Sequence, residues 1–247
     1  MAVLTLDTAT QVASVAVGQG TSLLATMTSL VPRGHSRVLQ PAVAAVLNAA
    51  GLQPTELTRI VVGIGPGSYT GVRLAVATAK ALASALAVPL TPVSTLMAMA
   101  EAVVPDAGAG QAVLPLLYAR RKRAFGALYL RADDGTWQAL QPPEVRSVSA
   151  WAALCQGLSD EGRIDTGGLT IVHDFEPKHQ VLELLPSARD LRLLQQVASE
   201  LAPALFRLSY TQTLPLLTGD AVHELVPDYA LPVEAEVRLT EREGNQP

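Results

Sequence analysis

The amino-acid sequence predicts an α/β protein made of two units, each a mixed sheet flanked by helices. The first 30 residues alternate short apolar runs with turn residues, which is typical of three successive strands. A glycine-rich junction at residues 63–73 then joins a β-branched apolar run to an alanine-rich segment, as expected where a strand leads into a helix. A linker-like stretch at residues 105–110 is followed by a second set of strand-like runs. Strands that alternate with helical segments in this way favour two α/β units.

Short polar side chains stand where the first predicted strand ends. Residues 4–10 have the sequence LTLDTAT, so Asp7 and Thr8 directly follow an apolar strand. Such side chains can form hydrogen bonds with the backbone of a turn, with a ligand phosphate or with a hydrated metal. The sequence leaves these interpretations open.

The junction at residues 63–73 has the sequence GIGPGSYTGVR. Glycine permits positive φ and close backbone approach, and the first amides of a helix can bind an anion. Gly65, Gly67 and Ser68 are therefore candidates for a phosphate-binding turn. The pattern is neither G-x-x-x-x-G-K-[ST] nor a clear G-x-G-x-x-G, so a tight turn that only allows close packing is the alternative. Either Ser68 or Thr70 is expected to cap the following helix.

Two helices of the first unit are unusually apolar. The helix at residues 35–50 must be deeply buried or must offer one side to a partner, because apolar residues cover more than one of its sides. These residues are Val38, Leu39, Ala42, Val43, Val46, Leu47 and Ala50. In the helix at residues 72–87, Arg73 and Lys80 lie two turns apart on one stripe. That stripe either faces solvent or meets an acidic patch on a partner.

The second unit is predicted from weaker patterns. Strands are expected at residues 112–118, 124–130 and 170–173, and helices at 149–157 and 191–206. From residue 227 onward the chain becomes charged and contains proline. We therefore divide the chain into a first unit of residues 1–104, a smaller second unit of residues 105–226 and a tail of residues 227–247.

Composition narrows the class of protein. The chain has 247 residues, of which 49% are hydrophobic, so it can fill a core. Its net charge of −4 and its 4% aromatic content disfavour autonomous RNA binding. The basic cluster Arg120-Arg121-Lys122-Arg123 is local, and is either a solvated turn or a contact for a carboxylate-rich partner or an RNA phosphate.

Localisation follows from three further features of the sequence. Cys155 is the single cysteine, which excludes an intramolecular disulfide and fits a reducing compartment. The first residues lack the pattern of a signal peptide, so a cytoplasmic location is expected. Residues 81–100 carry no charge, but Pro89 and Pro92 interrupt them, and no membrane span is expected.

No catalytic constellation is evident in the sequence. His35 is followed four residues later by Leu39, so a histidine pair on one helix face is missing. His173, His179 and His223 lack metal-ligand spacing, and GSYTG does not match the Gly-x-Ser-x-Gly nucleophile motif. We expect no catalytic residue, no metal and no cofactor.

Four motifs within the first 100 residues together resemble a known family. They are LTLDTAT at residues 4–10, RGHS at 33–36, GPGSYTGVR at 65–73 and PVSTL at 92–96. With these motifs the chain resembles the TsaB (YeaZ) family of the actin-like ATPase superfamily. The later Ala119-Arg120-Arg121 is similar to the Asp-Ala-Arg segment of that family, with Tyr118 where the family usually has Asp.

The resemblance implies a fold, a role and a set of partners. The fold would be two actin-like ATPase (ribonuclease H-like) lobes. The role would be that of a non-catalytic subunit, which dimerises with and stabilises a catalytic TsaD-type paralogue and acts with a TsaE-type ATPase. Together they would form the threonylcarbamoyl group on the adenosine beside the anticodon of tRNAs that read codons beginning with A. The tRNA would be contacted only through the complex, and the isolated chain would self-associate as a homodimer.

The resemblance also assigns residues, and two other functions stay open beside it. The partner interface would comprise His35, Leu39, Ala42, Val43, Val46, Arg73 and Lys80. The main alternative is an independent actin-like ATPase or kinase, with a residual nucleotide site formed by Asp7, Thr8, Gly65, Gly67 and Ser68 in the junction that runs to Gly71. A metalloprotease is a weaker alternative, because the sequence offers no metal-ligand spacing.

Overall fold

The computed structural model describes residues 1–30, 34–103 and 108–229, which form two five-stranded mixed sheets flanked by helices. The first lobe contains β1 (Ala2–Asp7), β2 (Val12–Gln19), β3 (Ser22–Leu30), α1 (His35–Ala49), β4 (Leu57–Gly63), α2 (Tyr69–Leu86), β5 (Leu90–Val93) and α3 (Thr95–Val103). The second lobe contains β6 (Ala112–Tyr118), β7 (Arg123–Arg131), β8 (Trp137–Ser147), α4 (Val148–Asp160), β9 (Thr170–His173), β10 (Asp190–Leu193), α5 (Leu201–Thr211) and α6 (Asp220–Glu224). Short 3₁₀ helices occupy Pro54–Glu56, Thr166–Gly168, Pro177–His179, Leu182–Leu184 and Leu194–Glu200.

The first sheet has the strand order β3-β2-β1-β4-β5. β1 and β2, and β2 and β3, pair antiparallel, whereas β4 and β5 run parallel to β1. β1 is buried along its whole length because helices cover both faces of the sheet. Leu4 and Leu6 face the core shared with α1 and α2, and Val3 faces the core shared with α3 and α5.

The second sheet has the order β10-β9-β6-β7-β8, with α4 on one face. Its other face shares a single hydrophobic core with the first sheet. In that core Val113, Ala127 and Tyr129 of the second sheet pack with α3, with α5 and with Val61 of the first sheet. The two sheets are therefore joined through a central layer of helix.

The order of strands and helices predicted for the first lobe is confirmed, as is the strand at Thr170–His173. The helix predicted at residues 191–206 is wrong over its first half. There the chain forms β10, which pairs parallel with β9, and then the 3₁₀ helix Leu194–Glu200, so that α5 begins only at Leu201. The leucines at 191, 193 and 194 suit a helix and an edge strand equally well, and pairing with β9 decides between them.

The predicted division of the chain at residue 104 lies outside the described residues, and so does most of the predicted tail at residues 227–247. Both stay predictions. α5 lies within the predicted second unit along the chain, but it packs against β1, β2 and β4 of the first sheet. Within the described ranges, none of the helices is both long enough and apolar enough to cross a membrane.

A buried ionic network connects the two lobes. Glu101 of α3 is 1% exposed, and its carboxylate accepts hydrogen bonds from Arg131 Nη1 at 2.7 Å and Trp137 Nε1 at 2.8 Å. The other carboxylate oxygen accepts from Arg207 Nε of α5 at 2.8 Å. Because Arg131 and Trp137 belong to β7 and β8, one carboxylate holds α3 against the second sheet.

Candidate functional site

A cavity of about 790 Å³ lies between the two lobes. From the first lobe it is lined by the β1–β2 turn at residues 9–11, by the start of α1 and by the start of α2. From the second lobe it is lined by the end of β6, by the start of β7 and by the segment after β9. Two helix starts and a strand turn therefore meet at one cleft.

Asp7 does not face this cleft. It is fully buried, accepts a hydrogen bond from the Ala9 amide at 2.7 Å and accepts another from Thr95 Oγ1 at 2.7 Å. Burial raises the pKa of Asp7 to about 6, and the two hydrogen bonds only partly offset this effect. A Cβ on Gly63 would lie 1.8 Å from Asp7 Oδ2, so the carboxylate fills the space that this glycine leaves open. Asp7 thus braces β1 against β4 and α3.

Three amides of the glycine-rich junction, those of Gly65, Ser68 and Gly71, are bonded within the chain. Ser68 N donates to the Ala9 carbonyl at 2.6 Å, and Gly65 N donates to Thr95 Oγ1 at 3.1 Å. Gly71 N donates to Ser68 Oγ at 3.4 Å, which confirms Ser68 as the helix cap.

The glycines of the junction let two backbones approach closely. A Cβ on Gly67 would lie 2.2 Å from the Ala9 carbonyl oxygen, and a Cβ on Gly71 would lie 2.0 Å from that of Thr8. Thr8 Oγ1 also donates to the Gly71 carbonyl at 2.6 Å. Of the two interpretations of this motif, the observed contacts support close packing of the β1–β2 turn on the start of α2.

The wall of the cleft formed by the second lobe carries both aromatic and charged side chains, among them Tyr118, Asp174 and Glu176. The Tyr118 ring stacks on His179 with ring centroids 3.7 Å apart and planes at 4°. Asp174 Oδ1 accepts a hydrogen bond from the Tyr118 amide at 2.7 Å, and burial raises the pKa of Asp174 to about 6. Where the family resemblance leads one to expect a carboxylate at Tyr118, the structure has an aromatic ring, with the Asp174 carboxylate bonded to its amide.

His35 lies at the start of α1 and lines the cleft. Its Nε2 atom is buried and has no hydrogen-bond partner among the described residues. Across the described ranges, no three His, Cys, Asp or Glu side chains form a group that could hold a metal ion. Arg33 of the RGHS motif lies outside the described residues.

Four residues that the sequence analysis expects at a partner interface are in the core instead. Leu39, Ala42, Val43 and Val46 are at most 5% exposed and pack with β1, β2 and α2. The first sheet needs cover on both faces, and the apolar side chains of α1 cover one of them. Its exposed side consists of the residues Ser36, Arg37, Gln40, Pro41, Ala44, Ala45, Asn48 and Ala49.

Arg73 and Lys80 bind the chain's own C-terminal segment at residues 219–229. Arg73 Nε donates to Tyr229 Oη at 2.7 Å, and its guanidinium lies 4.2 Å from the centroid of Tyr69 and 5.5 Å from that of Tyr229. Lys80 Nζ donates to the carbonyls of His223 at 2.6 Å and Leu225 at 3.0 Å. Both cations therefore contact the segment that returns across α2, while Arg73 stays exposed. Their role at a partner interface stays a prediction.

Sequence reasoning missed this C-terminal segment and the role of Thr95. Thr95 was visible in the PVSTL motif, but nothing local shows that it bonds Asp7, which is 88 positions away. For the C-terminal segment the available signal was the apolar pair Val222 and Leu225, which pack on the core under α2. Two apolar residues three positions apart are too short a pattern to predict that this segment packs on α2.

Two five-stranded mixed sheets, joined by helices and separated by a cleft, define the chain as a member of the actin-like ATPase fold class. The family model described as "TsaD: tRNA N6-adenosine threonylcarbamoyltransferase" matches residues 27–197. The chain therefore belongs to that family, in its TsaB (YeaZ) branch.

Individual relatives agree with this placement. The tRNA threonylcarbamoyladenosine biosynthesis protein TsaB of Escherichia coli is 35% identical over 59% of this chain and 64% of its own length. The protein of the same name from Bacillus subtilis is 28% identical over 98% of this chain and 99% of its own. The solved structure of YeaZ from Pseudomonas aeruginosa has a TM-score of 0.74 at 23% identity, covering 92% of this chain and 99% of that one, which shows the fold.

Proposed function

We propose that this chain takes part in the formation of threonylcarbamoyladenosine in tRNA as a non-catalytic subunit that binds and stabilises a catalytic TsaD-type paralogue. The names of its relatives support a role in this biosynthesis. One observation supports the non-catalytic role: the Asp7 carboxylate and the amides of Gly65, Ser68 and Gly71 are bonded within the chain. These groups pack the β1–β2 turn against the start of α2, which suits a subunit that binds a partner better than one that grips phosphate.

The partner surface we propose lies on the outer sides of α1 and α2. Both present small exposed residues, among them Ala44 and Ala45 of α1 and Ala77 and Ala81 of α2. Small side chains allow a facing helix to approach closely, which suits a helical interface. In the absence of the paralogue, the same surface would pair two copies of this chain. A TsaE-type ATPase and the tRNA would join through the complex, in the cytoplasm.

An omission assay tests the proposed function. The assay contains unmodified tRNA, threonine, bicarbonate and ATP, with purified TsaD- and TsaE-type proteins of the same organism. It also contains the TsaC-type protein, which would make threonylcarbamoyl-adenylate for the TsaD-type protein, and it is run with and without this chain. We expect modified nucleoside only when the chain is present. A matched reaction that omits the TsaD-type protein instead should yield none, because the chain alone lacks the chemistry. Equal product with and without the chain would contradict the proposal.

The alternative is an independent ATPase or kinase that grips phosphate through Asp7 and residues 65–71, and the burial of Asp7 away from the cleft counts against it. That alternative requires isolated chain to bind ATP and to lose binding in Asp7→Ala. Calorimetric titration with Mg-ATP separates the two functions, and we expect no heat of binding that depends on Asp7.

A further inference from the structure

The turn between β6 and β7 has an unusual backbone. Arg120, Arg121 and Lys122 have φ values of +62°, +51° and +56°, so three successive residues with side chains are left-handed. This conformation is unfavourable for residues with a Cβ and is normally left to glycine or asparagine. Strain of this kind persists only where the surrounding structure imposes it, and it is concentrated at functional sites.

Backbone hydrogen bonds hold the turn in place. Ala119 N donates to the Arg123 carbonyl at 2.9 Å, and Arg123 N donates to the Arg120 carbonyl at 3.0 Å. Val148 N, at the start of α4, donates to the Lys122 carbonyl at 3.0 Å. The turn is thus pinned at both ends, and its three cationic side chains project from a fixed backbone.

The cations of this turn are not neutralised within the chain. Arg120, Arg121 and Lys122 are exposed, and none forms an ion pair with another described residue. By contrast, exposed Arg163, Arg192 and Lys178 each pair with a carboxylate. The adjacent Arg123 has a buried Nε with no hydrogen-bond partner in the described part of the chain. The three exposed residues of the turn therefore keep donor capacity for an anion.

Aromatic surface lies beside the turn. Tyr118, two residues before Arg120, stacks on His179 and lines the cleft. Aromatic faces next to cations are typical of sites for single-stranded RNA, where bases stack and phosphates meet arginine or lysine. An acidic protein would use the cations but would gain little from the aromatic pair. With a net charge of −4, the chain attracts a polyanion only through such a local cluster.

We propose that the Arg120-Arg121-Lys122 turn contacts the phosphate backbone of RNA, with Tyr118 and His179 as an adjoining aromatic surface. The inference rests on the proposed function, under which the RNA is the tRNA held by the complex of this chain with its catalytic paralogue. The strained backbone keeps the three cations directed outward, ready for a polyanion.

A salt titration of tRNA binding tests the inference. The full-length chain, assembled with its paralogue, is compared with the variant Arg120→Asn/Arg121→Asn/Lys122→Asn, since asparagine tolerates the left-handed conformation. The probe is an unmodified tRNA transcript that reads a codon beginning with A. We expect affinity to fall about tenfold or more at physiological salt, and the slope of log K against log salt to decrease by about 2 to 3. The melting temperature of the variant should equal or exceed that of the wild type, because asparagine adopts the left-handed conformation more readily than arginine or lysine.

A matched control removes the same charge elsewhere. The variant Arg163→Asn/Arg189→Asn/Arg192→Asn changes three exposed arginines of the second lobe and should bind tRNA with an unchanged slope. Equal slopes for the turn variant and the wild type would overturn the inference. Unchanged tRNA binding together with weaker association with the paralogue would also overturn it, and would assign the turn to a protein contact. Failure of the wild-type chain in the omission assay would instead reject the proposed function.

Discussion

At the scale of single residues, the junction between β4 and α2 shows what its glycines do. Gly67 and Gly71 leave room for the carbonyl oxygens of Ala9 and Thr8, which a Cβ would meet at 2.2 and 2.0 Å. Asp7 fills the space beside Gly63 in a similar way. The same residues that look like a phosphate site in the sequence therefore form a packed joint in the structure.

Gly71→Ala is expected to destabilise the fold by about 1 to 3 kcal/mol, because the new methyl group meets backbone that cannot move aside freely. Urea denaturation measures the change in the free energy of unfolding. The matched control is Gly157→Ala in α4, where no atom lies within 4 Å of the added Cβ. That substitution should stabilise the protein by about 0.5 to 1 kcal/mol. Equal stability of Gly71→Ala and the wild type would show that the turn is not packed as described.

Asp7 should make stability fall as pH rises. Burial raises its pKa from 3.8 to about 6, so between those values the folded chain keeps a proton that the unfolded chain releases. Asp174 acts in the same direction, because burial also raises its pKa to about 6. His173 acts in the opposite direction, because burial lowers its pKa to about 4 and the unfolded chain binds the proton first.

Comparison with Asp7→Asn isolates the contribution of this one carboxyl. Between pH 4 and pH 7 the wild type should lose up to about 3 kcal/mol of stability more than the variant. Urea denaturation across this pH range measures both. Parallel pH profiles would mean that Asp7 has the same pKa in the folded and unfolded chains.

At the scale of elements, α1 has one side buried against the first sheet and one side exposed to solvent. Its large apolar residues cover the first sheet, and its outer side carries alanines, Pro41 and polar side chains that include Arg37. The pattern predicted a helix apolar on two sides. It could not say which side is core, because that depends on where β1, β2 and α2 lie.

Ala45→Arg should weaken association with the paralogue by tenfold or more while leaving the circular dichroism spectrum unchanged, because Ala45 is exposed on the proposed surface. Leu39→Arg should lose the folded spectrum altogether, since it places a charge in the core. The matched control, Ala153→Arg on the exposed side of α4, should bind the paralogue as the wild type does. Normal binding by Ala45→Arg would remove this side of α1 from the interface.

At the scale of the whole molecule, the two lobes depend on a buried carboxylate. Glu101 is held by Arg131, Arg207 and the Trp137 indole, which come from β7, α5 and β8. Replacing a buried ion-pair partner leaves an uncompensated charge behind. The network therefore makes the relative position of the lobes part of the stability of the fold.

Glu101→Gln should destabilise the protein by about 3 to 5 kcal/mol, because the Arg131 guanidinium then stays buried without its counter-charge. Glu161→Gln provides the control, since its 3.8 Å pair with Arg163 is exposed, and it should change stability by less than about 1 kcal/mol. Urea denaturation of both variants gives the comparison. A Glu101→Gln variant as stable as this control would show that the network does not hold the lobes together.

Much of the first lobe could be predicted because its signals are local. β-branched runs, turn residues and helical periodicity all lie within windows of a few residues, and the structure confirms the order of elements up to α3. The second lobe was harder. At residues 191–200 local pattern favoured a helix, whereas parallel pairing of β10 with β9, about 20 residues away in the chain, produced a strand.

Local patterns predicted the α/β class, the strand and helix order of the first lobe, a cap of α2 at either Ser68 or Thr70, and the motifs that carry the family resemblance. The fold was needed to show which side of α1 is buried, that Ser68 caps α2, and which groups Arg73 and Lys80 contact. The physical reason is distance along the chain. Arg73 and Lys80 find their partners 143 to 156 residues away. A local pattern can supply a donor, but only the fold brings the acceptor to it.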